Sequence, residues 1–306
     1  MSNVKRYIPW LVLILAVVIS VVYVIKSGHY KDPEGYVLSS PDRIIKLPHV
    51  LKEISGITAT DKNNIACVED EIGSIFIYDI ANDRMENEYK TDMKGDFEGI
   101  ALVNDTMYIL RSDGVLVEYS NYNSVTADTN EYTLNLPTAN NEGLCYDKKN
   151  NCLLIAAKSK AEDGLEKKSI RLIYSFDLHT KEVSPEPMIK LHIKRIEEKA
   201  IQLHLYEDKI KKHKNKDKDK EKESSFNFRP SEIAVSPLDN SIYILSGKDK
   251  MLLVMDQRGN VKDLFSLDPS IFKQAEGMTF LSNGDLLISN EGQKGKPTLL
   301  LFSYQK

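Results

Sequence analysis

An all-β propeller of four-stranded blades is the fold class that this sequence predicts. A repeat, the strands inside it and an unmatched strand near the start carry the prediction. The repeat is a small or acidic residue, then Gly, then an apolar run. It reads Ser55-Gly56-Ile57-Thr58, Glu98-Gly99-Ile100-Ala101, Glu142-Gly143-Leu144-Cys145, Ser231-Glu232-Ile233-Ala234 and Glu276-Gly277-Met278-Thr279. The first residues lie 43, 44, 89 and 45 positions apart, a period near 44 with one doubled gap. A strand-built repeat of roughly 40–50 residues is the signature of a propeller, in which equivalent positions meet around one axis.

Each unit reads as an antiparallel meander. In the second, apolar runs at Gly99–Val103, Met107–Leu110 and Val115–Tyr119 are separated by Asn104-Asp105 and Ser112-Asp113-Gly114, with Tyr132–Leu136 as the fourth strand. The fourth unit repeats this at Ile233–Val235, Ile242–Leu245, Leu252–Met255 and Val261–Leu267. Short β-rich runs between Asn, Asp and Gly are hairpin signals. The third strand tends to close on an aromatic residue or Met followed by a turn residue, as in Tyr78-Asp79, Phe176-Asp177 and Met255-Asp256. An Asp there can accept from the backbone two residues on and start the turn.

The last unit has three runs, Gly277–Leu281, Leu286–Ser289 and Leu299–Phe302, while Arg43–Leu47 has no blade of its own. That segment supplies the missing outer strand and closes the ring, which removes the open edges of an unclosed array. In the doubled gap one blade fits, with runs at Leu144–Tyr146, Leu153–Ala157, Leu172–Phe176 and Met188–Ile193. Beyond it Ile193, Ile196, Ala200 and Leu203 follow helical spacing. Lys209 to Glu223 then holds eight Lys against four acids and cannot bury a core. The reading is five blades with an insertion at about 194–228; six remain open, because the gap has the length of one more.

Residues 1–35 are a separate region: a stub, an anchor and a linker ahead of a propeller at 36–306. Ile8 to Ile25 is eighteen residues without a charge, preceded by Lys5 and Arg6 and bracketed by Trp10 and Tyr23. That length is the lower edge of a bilayer-spanning helix, and the flanking cations place the N-terminus in the cytoplasm and the propeller on the extracytoplasmic, periplasmic side. A cleaved signal peptide is the rival reading, but no small-residue cleavage site follows. The net charge of −4 gives no general attraction to nucleic acid. Three cysteines, Cys67, Cys145 and Cys152, exclude a disulfide-built scaffold and suit buried thiols, with a Cys145–Cys152 hairpin disulfide as the alternative.

Blade geometry gathers the repeat's first residues, Ser55, Glu98, Glu142, Ser231 and Glu276, at one mouth of the channel. Two residues earlier stand Glu53, Asp96, Asn140, Arg229 and Gln274, and the returning loops add Glu69, Asp70, Glu71, Arg111, Asp113, Lys158, Lys248, Asn290 and Glu291. Converging carboxylates repel, so they must be hydrated, protonated, paired or bound to a cation. Oxygen-rich ligands suit Ca²⁺, with Glu98, Glu142 and Glu276 as metal ligands and Ser55, Arg111, Ser231 and Glu291 as ligand-binding residues. The bland alternative is that Arg111, Lys158 and Arg229 neutralise the carboxylates. Nucleophile-elbow, zinc-protease and phosphate-loop motifs are missing from the sequence, so the chain leans away from enzymes.

The phrases Asp96-Phe97-Glu98-Gly99-Ile100-Ala101, Asn141-Glu142-Gly143-Leu144-Cys145-Tyr146-Asp147, Pro230-Ser231-Glu232-Ile233-Ala234-Val235-Ser236-Pro237 and Ala275-Glu276-Gly277-Met278-Thr279-Phe280, with Ile288-Ser289-Asn290-Glu291-Gly292, resemble the SdiA-regulated, YjiK/CarP-like propeller family. The resemblance covers Leu47 to the C-terminus without the insertion. It implies an extracytoplasmic, often membrane-anchored propeller associated with calcium, and nominates Glu98, Glu142, Glu276 and Glu291 for ion or ligand binding. Ser231-Glu232 departs from the pattern where Gly is expected. The expected function is binding of Ca²⁺, a small ligand or a protein partner at the mouth, in a sensing or scaffolding role. The alternative is an extracytoplasmic hydrolase of phosphate or sugar esters, related to esterase-like phytase propellers.

Overall fold

Five four-stranded meanders stand around one axis. The computed structural model describes residues 31–91, 93–124, 127–138, 140–158, 170–206 and 226–306. The first blade is β2 (Ile54–Ala59), β3 (Asn64–Glu69), β4 (Ser74–Asp79) and β5 (Arg84–Lys90). The second is β6 (Phe97–Val103), β7 (Thr106–Arg111), β8 (Val115–Ser120) and β9 (Asp128–Thr133). The third is β10 (Asn141–Asp147), β11 (Cys152–Ala157) and β12 (Ile170–Asp177), whose outer edge pairs with both β13 (Glu182–Val183) and β14 (Ile189–His192). The fourth is β15 (Glu232–Val235), β16 (Ile242–Ser246), β17 (Met251–Met255) and β18 (Val261–Ser266).

The fifth blade takes β19 (Ala275–Phe280), β20 (Leu286–Asn290) and β21 (Thr298–Phe302) from the end of the chain and β1 (Arg43–Lys46) from its beginning. Arg43 faces Leu301 and Lys46 faces Thr298 across the closing pair. The inner strands touch in the order β2, β6, β10, β15, β19 and back to β2. Five apolar cores follow, one per blade interface. The interface between the first two blades, for example, buries Ala66, Val68, Ile75, Ile100, Ile109 and Val117.

Five blades, not six, fill the ring. The extra length of the doubled gap becomes helix α1 (Ile193–Gln202), which buries Ile193, Ile196 and Ala200 against the core between the third and fourth blades. The charged run 209–223 and the apolar run 8–25 lie outside the described residues. Among the described residues no helix is long and apolar enough to cross a membrane.

Two strands differ from expectation. The outer strand of the second blade is Asp128–Thr133, not Tyr132–Leu136. All but one of its residues are exposed, so no apolar pattern marks it, and the apolar Leu134 just beyond drops into the core. The two-residue β13 is equally unmarked. Cys145 faces Leu154 and Cys152 faces Asp147 across β10 and β11, and all three cysteines are free thiols. The alternative of a hairpin disulfide is thereby excluded.

The turns opposite the mouth follow the sequence reading. Asp79 accepts from the backbone N–H of Ala81 and Asn82, both at 3.0 Å. Asp177 accepts from His179 and Thr180 at 2.8 Å, and Asp256 from Arg258 and Asn260 at 2.9 Å. These local bonds set each turn.

Candidate functional site

The repeat phrase is where the inner strands crowd the axis. A Cβ on Gly56 would lie 2.7 Å from the Gly99 Cα, one on Gly99 2.8 Å from the Glu142 carbonyl oxygen, and one on Gly143 2.9 Å from the Ile233 nitrogen. Gly277 meets the Ser55 carbonyl in the same way. Each glycine therefore lets one blade's inner strand touch the next backbone, a spacing that any side chain would prevent.

At the same level the ladders of four blades slip register, between Ile54 and Ile57, Phe97 and Gly99, Asn141 and Gly143, and Ala275 and Met278. A bulge there re-aims the residue beside the glycine. Glu98, Glu142 and Glu276 are brought close enough to affect one another. Burial first, then the charges of Glu142 and Asp96, raise the Glu98 pKa well above the carboxylate range. Burial also raises Glu142, against the pull of Lys158, and Glu276 is pushed up to about 7.

Lys158 is the cation paired within this cluster, and Lys250 and Lys248 also act on Glu276. Its ammonium lies 2.7 Å from the Glu142 carboxylate. Burial acts to lower its pKa, but Glu142, Glu276 and Glu98 outweigh burial and raise it. Both the acids and the lysine thus hold their protons more tightly than in water. The causes differ: burial is the larger one for the acids, while the surrounding carboxylates raise the lysine against burial.

The other two predicted neutralising cations are engaged elsewhere. The Arg111 guanidinium donates to Asp113 at 2.5 Å. Arg229 forms a bidentate pair with Asp249, and its backbone N–H donates to the same carboxylate at 2.8 Å. Ser231 is buried, and its hydroxyl accepts from the Gly247 N–H at 3.2 Å and donates to the Leu245 carbonyl. Ser55 is buried in the ring. Glu291 accepts from the Gln274 side chain; burial raises its pKa, with Asp70 and Glu53 adding to the rise.

A second group adjoins the first. One oxygen each from Glu53, Glu69 and Asp70 lie within 4.8 Å of one another, the one such carboxylate trio among the described residues. Glu69 is fixed by the N–H groups of Glu71 and Ile72 at 3.1 and 2.9 Å. Asp70 keeps one buried oxygen without a partner, and burial with the charges of Glu69 and Glu53 takes its pKa up to about 6. The sequence puts Glu53 at the mouth by its place before the repeat and Glu69 and Asp70 there on a returning loop, but their closeness depends on how the β3–β4 loop folds back, which no local pattern encodes. Volume points elsewhere: a cavity of about 720 Å³ lies between the outer parts of the second and third blades, lined by Leu134, Phe176 and Lys181, and one of about 340 Å³ lined by Tyr36, Tyr243 and Tyr304 lies on the opposite face. Charge, not volume, distinguishes the mouth.

Two buried charged residues escaped the sequence reading. Glu232 stands at the fourth blade's glycine position, fully buried, accepting from the N–H of Leu144 in the third blade and of Ile233, both at 2.9 Å. Its other oxygen has no partner, and burial raises its pKa well above the carboxylate range. Gly247 takes over the close approach, against the Ala275 carbonyl. Arg171, buried in β12, donates to the Asn227 side chain at 2.7 Å and so ties down the far end of the insertion. A lone charge inside the apolar run Ile170–Ile173 was its sequence signal.

Residues 38–294 match the family model described as SdiA-regulated. The chain belongs to the SdiA-regulated family. Among solved structures, glutaminyl cyclase from Myxococcus xanthus is similar over 87% of this chain and 97% of its own, at 11% identity and a TM-score of 0.55. Virginiamycin B lyase from Staphylococcus aureus is similar over 84% and 73%, at 12% identity and a TM-score of 0.42. At 11% identity, the likeness of the cyclase to this chain extends to fold alone. No curated protein matches the sequence.

Proposed function

We propose that this SdiA-regulated propeller is a membrane-anchored, extracytoplasmic binding protein. It takes up a cation, Ca²⁺ by its oxygen donors, or a small cationic ligand at the carboxylate mouth, in a sensing or scaffolding role. The observation that carries the reading is a set of enclosed carboxylates, Glu98, Glu142 and Glu276, whose pKa values stay raised despite Lys158, Lys248 and Lys250, with a buried Asp70 oxygen left unpartnered. A bound cation would supply the missing positive charge, and hard oxygen donors favour Ca²⁺ over softer metals. Glu53, Glu69 and Asp70 would hold it most closely. Glu98, Glu142 and Glu276 would form the inner wall, with Lys158 setting an upper limit on the charge accepted. Anchoring rests on the uncharged run 8–25 and its flanking cations.

The test is a thermal melt of residues 31–306 with Ca²⁺ and with chelator. A ligand that binds only the folded state raises stability by about 2.7 kcal/mol at 100 times its Kd. The rise should shrink in Asp70→Asn and in a Glu98→Gln, Glu142→Gln double variant. An unchanged curve with added Ca²⁺ removes the metal reading. Carboxylates that titrate near neutrality also suit general acid–base work, which keeps the ester hydrolase as the second reading. Turnover abolished by Glu98→Gln with Glu276→Gln would favour it.

A further inference from the structure

Residues 31–42, ahead of the closing strand, are fastened to one particular face. Tyr36 and Leu38 are buried in the core between the fourth and fifth blades. The Tyr36 hydroxyl donates to the Gly284 carbonyl at 2.6 Å, in the turn between β19 and β20. The Gln305 N–H donates to the Gly35 carbonyl, and Lys31 pairs with Asp263 near the start of β18.

The chain direction identifies that face. β19 leaves the mouth at Glu276 and ends at Phe280, so the turn holding Gly284 is on the opposite side, the base. β20 returns to the mouth and β21 descends again, so Ser303 and Tyr304 are also at the base. There the Ser303 N–H donates to Asp42. The strap therefore enters the propeller from the base. Beside it Val37 and Leu238 are exposed large apolar side chains, and Leu238 borders Gly284.

We infer that this corner of the base, around Val37 and Leu238, rests on the bilayer surface and that the carboxylate mouth faces away from the membrane. The inference rests on the anchor reading of residues 8–25. Six residue steps separate Ile25 from Lys31, a reach of at most about 21 Å. With Lys31 docked on the base side, that tether keeps the base within about 21 Å of the headgroups, nearer than the mouth. The mouth then stands a strand's length, about 20 Å, farther out. A mouth so placed samples solutes of the extracytoplasmic space rather than lipid headgroups.

The test uses the full chain in vesicles of phosphatidylcholine and phosphatidylglycerol carrying a headgroup spin quencher. A thiol-reactive fluorophore is placed at the base (Leu238→Cys, and independently Val37→Cys) or at the mouth (Lys94→Cys, an exposed position between β5 and β6). The wild-type chain sets the labelling background of its native thiols. The base labels should be quenched at least threefold more than the mouth label. Equal quenching, or stronger quenching at Lys94→Cys, overturns the orientation while leaving the anchor in place. A wild-type chain that does not float with the vesicles overturns the anchor reading, and the orientation with it.

Discussion

The two faces of the propeller hold the same side chains in opposite electrostatic states. At the base, Asp79, Asp177 and Asp256 accept hydrogen bonds from their own turns, and those bonds pull each carboxyl below its ordinary range. At the mouth, burial and mutual repulsion push Glu98, Glu142, Glu276 and Asp70 up. Base carboxylates are satisfied locally, within three or four residues. Mouth carboxylates are assembled from all around the ring: Glu142 pairs with Lys158 and Glu69 accepts from two loop N–H groups, but Asp70 keeps one buried oxygen without a partner. The first arrangement stabilises turns; the second is a standing cost that a bound cation would relieve.

The largest expected effect comes from separating the mouth from the ring that assembles it. Gly99→Val would drive a side chain into the Glu142 carbonyl and Leu144. A loss of roughly 3 kcal/mol or more in denaturant unfolding is expected from such overpacking. A loss below about 1 kcal/mol would mean that the blades are not held by glycine contacts.

Dependence on pH sharpens the comparison next. A carboxyl with a raised folded pKa contributes stability fully below its unfolded value and loses it as pH rises through the folded value. For Glu276 that window runs from about 4.5 to about 7. The cation-free protein should therefore melt lower at pH 8 than at pH 5, and Glu276→Gln should flatten the difference. The base acids have the opposite sign: their contribution is present above about 3.8 and fades only as pH falls below it. A melting temperature that rises from pH 5 to pH 8 would contradict the account.

Lys158→Met comes third. Removing the ammonium leaves Glu142 buried without its partner, so stability at pH 8 should fall by about 1–2 kcal/mol. Added Ca²⁺ should recover more stability than in the wild type, because the competing cation is gone. The smallest effect belongs to the base. Asp256→Ala should lower the melting temperature slightly and leave both the pH 5 to pH 8 slope and the Ca²⁺ response unchanged.

The repeat made most of this molecule legible. Glycines recurring at the repeat period report close backbone approach, and Arg43–Leu47 had nowhere to go but the last blade. Exposed outer strands such as Asp128–Thr133 carry no apolar pattern, so their positions were obscure. At the mouth, the convergence of Glu98, Glu142 and Glu276 followed from symmetry alone. Pairing did not: Lys158 reaches Glu142 while Arg111 and Arg229 turn to nearby aspartates, choices set by loop conformation. Glu232 looked like a flaw in the repeat. It is a buried carboxyl that bonds the third blade to the fourth.

Calorimetric titration of residues 31–306 with Ca²⁺ at pH 7, in two buffers of different ionisation enthalpy, tests the central claim directly. Cation binding to carboxyls that hold protons near neutrality must displace those protons. The account predicts saturable binding with proton release, and less release in Glu276→Gln. Saturable binding without proton exchange, or no binding, would contradict it.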